Sequence, residues 1–170
     1  MVLKHLLLPC IIFCILCVPA VRPAAAAGPG AAAPDFTLPD AGGKKVSLAE
    51  GKGKAILLHF WATWCGPCRA EMLSLSTLYR EFRDKGLLVL AVSVDTSAKP
   101  VHAFLAEQNI PFPVLLDTER EVYFDTYAVF GLPTSFLINR DGVIAERIVG
   151  ETAWDSPAVK EKVRRLLPEK

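Results

Sequence analysis

From residue 35 onward, short apolar runs alternate with stripes of apolar residues at helical spacing. Asp35-Phe36-Thr37-Leu38 and Val46-Ser47-Leu48 flank Asp40-Ala41-Gly42-Gly43, which predicts a β-hairpin around a Gly-Gly turn. Ala55–Trp61 is almost continuously apolar, the pattern of a strand buried on both faces. From Cys68 to Lys85 the period changes. Met72, Leu75, Leu78, Tyr79 and Phe82 recur as on a helix, and Gly86 is a natural stop. Leu87–Val94 predicts a second buried strand. Ser97–Gln108 predicts a helix with Val101, Phe104 and Leu105 on one face. A short strand over Pro111–Leu116 and a short helix over Glu121–Phe130 follow. Thr134–Ile138 and Val143–Ile148 read as strands joined by Asn139-Arg140-Asp141-Gly142, and Asp-Gly between β runs signals a hairpin. Asp155–Leu167 predicts an amphipathic helix with Val159, Val163 and Leu166 inward. The order is hairpin, β, α, β, α, β, α, β, β, α. It predicts an α/β fold with a central mixed sheet and helices on both faces. No internal repeat is visible.

The first 27 residues follow another logic. Lys4 precedes an apolar run from Leu6 to Val21 that only Pro9 and Pro19 interrupt; Arg22-Pro23 and four alanines to Ala27 follow. A basic start, an apolar middle and a small-residue exit make an export signal. The alternative is an uncleaved membrane anchor over residues 6–21, although a spanning helix needs about 20 apolar residues. Cys10, Cys14 and Cys17 each lack the small preceding residue of a lipidation site and read as apolar filler. Residues 28–33 (GPGAAA) read as a flexible tether, and residues 34–170 as one domain.

Dividing the chain changes its totals. The whole has five cysteines, 52% hydrophobic residues and a formal charge of +1. Without residues 1–27 it has 17 basic and 18 acidic residues, a charge of −1, and two cysteines. Near-neutral charge argues against a nucleic-acid partner, and 22% charged residues fit a folded domain.

The two remaining cysteines lie in Trp64-Cys65-Gly66-Pro67-Cys68, between the first buried strand and its helix. A C-x-x-C beside a βαβ pattern reads as a redox motif. At a helix start, Cys65 meets unpaired N–H groups and the positive end of the helix dipole, which favour thiolate over thiol. Cys68, one turn on, is placed to attack a mixed disulfide on Cys65. Pro67 costs little in a first turn. Trp64 offers an apolar surface to a partner. A purely structural disulfide across so small a loop stabilises little. A zinc site lacks a second ligand pair.

From Ala33 to about Trp154 the chain resembles the thioredoxin superfamily, and within it the exported TlpA/ResA-like thiol–disulfide oxidoreductases. The matching stretches are Ala33–Leu38, Phe60–Met72 (FWATWCGPCRAEM), Phe130–Ile138 (FGLPTSFLI) and Asp141-Gly142. The resemblance implies a thioredoxin-like fold with an N-terminal hairpin and an inserted αβ segment between Val94 and Tyr123. It implies that Pro133 is a cis-proline which, with Leu132, Trp64, Gly66 and Pro67, binds substrate backbone as a strand. It implies that Glu71 tunes the cysteine pair; on a helix Glu71 shares the face of Cys68 and can relay protons. His59 stands where cytoplasmic thioredoxins carry a buried aspartate. It is either a hydrogen-bonded core residue or a group coupled to the cysteines. His102 is expected at the surface.

The expected reaction is reduction of disulfides in exported clients, with Cys65 as nucleophile and Cys68 resolving. Its redox group is the Cys65–Cys68 pair, with no other cofactor and no metal. The resemblance implies a membrane thiol transporter as electron donor, clients in cytochrome c maturation or copper-site assembly, a monomer, and a bacterial periplasmic location. Gly-Pro between the cysteines suggests a potential near the reducing end of the range, about −270 mV. Two alternatives remain open. A thiol peroxidase places a lone reactive cysteine after a threonine, but Thr63 lies only two residues before Cys65. A copper-binding module uses C-x-x-x-C and a distant histidine, which this chain does not match.

Overall fold

The computed structural model describes residues 27–167. The two short alternating runs form the hairpin, with β1 (Thr37–Pro39) antiparallel to β2 (Lys45–Ser47). Asp40 Oδ1 accepts from the amides of Gly42 and Lys44 at 2.9 and 2.8 Å, and Gly43 takes φ 85° in the turn. That left-handed conformation favours glycine.

β3 (Ala55–Trp61) is buried along its whole length and is the centre of a five-stranded sheet. α1 (Gly66–Phe82) follows and ends through a short 3-10 turn at Gly86, whose φ is 100°. Then come β4 (Leu87–Ser93), α2 (Ala98–Glu107), β5 (Val114–Leu116), β6 (Thr134–Ile138), β7 (Ile144–Val149) and α3 (Pro157–Leu166). The strand order is β5-β4-β3-β6-β7. β4 runs parallel to β3 and β5 parallel to β4, while β6 and β7 are antiparallel to their neighbours. The sheet is therefore mixed and flanked by helices, but the α-helices do not divide between its two faces as the alternation predicts.

Alternation along β3 assigns the two faces of the sheet. Trp61 packs on Phe104 of α2 with ring centroids 5.0 Å apart, and His59 faces Glu71 of α1. Phe60 points the other way, into Tyr123, Tyr127 and Phe136. Helices α1 and α2 thus share a face, and α3 joins them: Lys160 of α3 bonds Glu81 of α1 at 2.7 Å. A half-exposed pair of this kind contributes little. Burial of Val163 holds α3 down.

Three further expectations change. Residues 28–33 are docked rather than free: the amides of Gly30 and Ala33 bond the carbonyls of Ile144 and Gly142, each at 2.8 Å, and Ala32 bridges Val143. An edge strand with unpaired backbone groups supplies the partners that composition alone cannot reveal. The helix expected over Glu121–Phe130 shrinks to a π turn, Val122–Thr126. The Asp117 carboxylate accepts from the amides of Val122 and Tyr123, and Arg120 and Ala128 bracket the turn with φ of 61° and 48°. Helix α1 begins at Gly66, two residues earlier than its apolar stripe, because Cys65 caps it. The region read as an export signal lies outside the described residues, apart from Ala27, which is buried. Among the described residues no helix is long and apolar enough to cross a membrane.

Candidate active site

β3 delivers the chain to the motif at the carboxyl end of the parallel strands. Cys65 is the N-cap of α1: its backbone is extended, and its Sγ accepts from the Cys68 amide at 3.3 Å. Pro67 lies in the first turn, where a missing N–H is harmless. Cys65 and Cys68 are joined as a disulfide, with Cα atoms 5.3 Å apart. Cys65 is 7% exposed and Cys68 0%, so only Cys65 is open to an incoming sulfur. Burial thus separates two chemically similar thiols into an outer and an inner one.

The approach to Cys65 is held by a residue that motif reading overlooked. The buried carboxylate of Asp95, just beyond β4, accepts from the Thr63 amide at 2.9 Å, the Thr63 hydroxyl at 2.7 Å and the Ser93 hydroxyl at 2.8 Å. Two of these bonds hold Thr63, two residues before Cys65, and the third ties the carboxylate to β4. The detectable signal was a charged residue ending an apolar strand, since a buried aspartate is rare unless paired. Asp95→Ala removes the acceptor and leaves buried donors without partners. It is expected to cost about 2–3 kcal/mol in chemical denaturation and to slow disulfide exchange by loosening the loop. Unchanged stability and rate would remove Asp95 from the site.

The other predicted residues meet at the same end of the sheet. Phe60 of β3 pairs with Thr134 of β6, so Pro133 lies level with the exit of β3 towards the motif. The Leu132–Pro133 bond is cis, and Pro133 is buried. Trp64 is 64% exposed; Gly66 and Pro67 are exposed and Leu132 is half-buried. Phe130, 79% exposed, stacks loosely on Phe124 at 6.1 Å and extends this apolar rim. His102 is exposed and bonds the Ala41 carbonyl at 2.9 Å. Among the described residues no three His, Cys, Asp or Glu side chains gather as metal ligands.

Behind the disulfide is a closed polar cluster. Glu71, one turn beyond Cys68 on α1, is 2% exposed rather than solvated. The Thr152 amide donates to its Oε1, and its Oε2 lies 3.7 Å from His59 Nε2. Burial pushes the Glu71 carboxyl up to about 7, against the downward pull of the Trp154 side chain and the Thr152 amide; nearby Glu151 adds to the rise. His59 is fully buried, bonds Ser135 Oγ through Nδ1 at 2.8 Å and packs edge-on against Trp154. Burial holds it down at about 3, so the ring is neutral at physiological pH.

These two shifts oppose each other. Between 4.5 and about 7 the folded chain keeps a Glu71 proton that the unfolded chain has lost, so stability falls as pH rises. Between about 3 and 6.5 the unfolded chain binds a His59 proton that the folded chain refuses, so stability rises with pH. From 4.5 to 6.5 the slopes cancel. In Glu71→Gln only the histidine slope remains. Relative to the parent, the stability of the variant is expected to climb with pH by up to about 1.4 kcal/mol per unit across that window. Urea titrations at half-unit intervals check this; parallel curves for parent and variant would contradict it.

Comparison with known proteins agrees with this geometry. Residues 29–147 match the AhpC/TSA family. The chain is 42% identical over 121 residues to the thiol-disulfide oxidoreductase ResA of Bacillus subtilis, covering 71% of this chain and 67% of that protein. It resembles the crystal structure of a thiol:disulfide interchange protein of the thioredoxin family from Chlorobium tepidum, with TM-score 0.70, 29% identity, and coverage of 84% of this chain and 99% of that one. The thioredoxin domain of a thiol-disulfide oxidoreductase from Bacteroides vulgatus superposes with TM-score 0.73 at 26% identity, over 85% of this chain and all of that one.

Proposed function

We propose, for a chain that belongs to the AhpC/TSA family and is a ResA-like thiol–disulfide oxidoreductase of the thioredoxin superfamily, that it works outside the cytoplasm as a reductase of client disulfides. The observation that carries the order of the reaction is the unequal burial of Cys65 and Cys68.

In the reduced enzyme, Cys65 at the helix N-terminus is the thiolate, stabilised by the Cys68 amide and the helix dipole. Its sulfur attacks one sulfur of a client disulfide. The Cys65–client bond forms, the client S–S bond breaks, and the first client sulfur leaves as a thiolate that takes a proton from water. Cys68 then gives its proton to Glu71 and attacks Cys65 Sγ. The Cys65–Cys68 bond forms, the Cys65–client bond breaks, and the second client sulfur leaves as a thiolate. Two electrons pass from the dithiol to the client. Glu71 suits the acceptor role because burial keeps its affinity for protons near neutrality.

The client segment is read as an extended strand beside the cis Leu132–Pro133 bond, with Trp64, Gly66, Pro67 and Phe130 as its apolar walls. Export follows from the pattern of residues 1–27, and an oxidising compartment makes a dedicated reductase necessary. A membrane thiol transporter would return electrons to the Cys65–Cys68 disulfide. Apoproteins of cytochrome c or of copper centres, each needing free thiols, are the client classes that fit.

The test is capture. Cys68→Ser leaves Cys65 able to attack but unable to release. Expressed in the native compartment, it is expected to retain exported dithiol proteins in mixed disulfides that reductant dissolves. No captured protein, or capture that persists in Cys65→Ser, would overturn the reductase reading. For a thiol peroxidase the reduced parent would turn over peroxide rapidly; slow, stoichiometric oxidation is expected instead.

A further inference from the structure

Glu71 Oε2, His59 Nε2 and Trp154 Nε1 are all buried with no hydrogen-bond partner within bonding distance among the described residues; Oε2 and Nε2 face each other at 3.7 Å, and the Trp154 indole also acts on the Glu71 carboxyl. Unpartnered polar atoms in a sealed cluster are costly unless they serve one another, and of the two groups beside Oε2 only His59 can both donate and accept, since an indole N–H donates only. We infer that His59 is a positioning residue which titrates with Glu71 as a single unit, changing tautomer rather than charge as the carboxyl gains or loses its proton.

The inference rests on the proposed role of Glu71 as proton acceptor for Cys68. Ser135 makes the change feasible. Its Oγ lies 2.8 Å from His59 Nδ1 and can donate or accept by rotating its hydroxyl. With Glu71 ionised, Nε2 carries the ring proton and donates to Oε2, while Nδ1 accepts from Ser135. With Glu71 protonated, the acid donates to bare Nε2, and Nδ1–H donates to Ser135. The two states differ by one proton, exchanged with Cys68 or with water, and the imidazole is neutral in both. A histidine with two differently partnered nitrogens can match both forms of the acid, whereas an aliphatic residue at position 59 would match neither.

The surroundings favour a neutral ring. Glu71 is the acidic group facing His59 from α1; Ser135 from β6 bonds its Nδ1, the Trp154 ring packs against it, and Ala91 of β4 lies beside it in the sheet. Glu71 itself is faced by the Thr152 amide, Trp154, the charge of Glu151 and, from its own helix, Cys68. No Lys or Arg enters this set, so an imidazolium–carboxylate pair would have to bear full burial alone.

Nuclear magnetic resonance of the parent protein tests this directly. Nitrogen shifts of the His59 ring and the carboxyl carbon shift of Glu71 are followed from pH 5 to 9, in both redox states. The expected result is that the two ring nitrogens exchange protonated and bare signatures with the same midpoint as the Glu71 carbon. A ring fixed in one tautomer, or one showing the imidazolium signature, overturns the inference. A variant adds a second readout. In His59→Leu the ionised carboxylate loses its facing donor, so the Glu71 midpoint is expected to rise by about one pH unit, and the pH profile of mixed-disulfide release with it. In a Glu71→Gln background His59→Leu is expected to leave that profile unmoved; an equal shift in both backgrounds counts against the pairing. If Glu71→Gln alone leaves the profile of the parent intact, the proton-acceptor role fails. If that profile moves and the ring does not switch, the pairing alone fails.

Discussion

Cys65→Ser is expected to abolish disulfide exchange, with turnover of a small disulfide or of insulin falling on the order of a thousandfold or more. The reason is positional. Cys65 caps α1 and is the partly exposed sulfur of the pair, while Cys68 is sealed. A serine hydroxyl can still accept from the Cys68 amide, so the helix keeps its cap and the fold is expected to survive. Loss of activity with an unchanged melting curve therefore reports chemistry. Residual turnover within tenfold of the parent would mean that Cys68 can be reached from solvent, contrary to its burial.

Trp154→Ala carries the second large effect, and it falls on stability and on pH dependence together. The indole is fully buried beyond β7 and packs edge-on against His59, with ring centroids 6.3 Å apart. Removing it leaves a large cavity, which is expected to cost about 3–5 kcal/mol. Water entering that space also relieves the burial that holds the Glu71 carboxyl up. Water in that space can both rehydrate the carboxylate and replace the hydrogen bond by which Trp154 pulls it down, so the midpoint of Glu71 should fall towards the ordinary carboxylate value. Denaturant titration measures the first effect and the pH profile of exchange the second. A destabilised variant whose pH profile matches the parent would show that burial by Trp154 does not control Glu71.

Strand and helix positions were legible where a periodic pattern was the only determinant. β3 and β6 fall on the expected residues because each is an apolar run closed by turn or motif residues. The π turn was not legible, because its limits come from the Asp117 carboxylate and from two left-handed residues, neither of which leaves a periodic trace. Residues 28–33 misled for a related reason: glycine and alanine carry no side-chain signal, and their docking runs through backbone bonds to β7. At the site, Cys65 and Cys68 announce themselves by spacing. Asp95 and Trp154 do not. Their importance is tertiary, one reaching Thr63 across 32 positions of chain and the other covering His59 from beyond β7. The sealed environment of Glu71 was equally invisible in sequence, since an amphipathic stripe places a residue on a helix face but does not say what covers it.

That the dithiol gives electrons away is proposed from the Gly-Pro dipeptide between Cys65 and Cys68. The most direct test equilibrates the protein with dithiothreitol or glutathione redox buffers at pH 7 and measures the fraction of Cys65–Cys68 disulfide by thiol alkylation. A two-electron midpoint near about −270 mV is predicted; a midpoint near about −120 mV would identify an oxidant and contradict the reductase assignment.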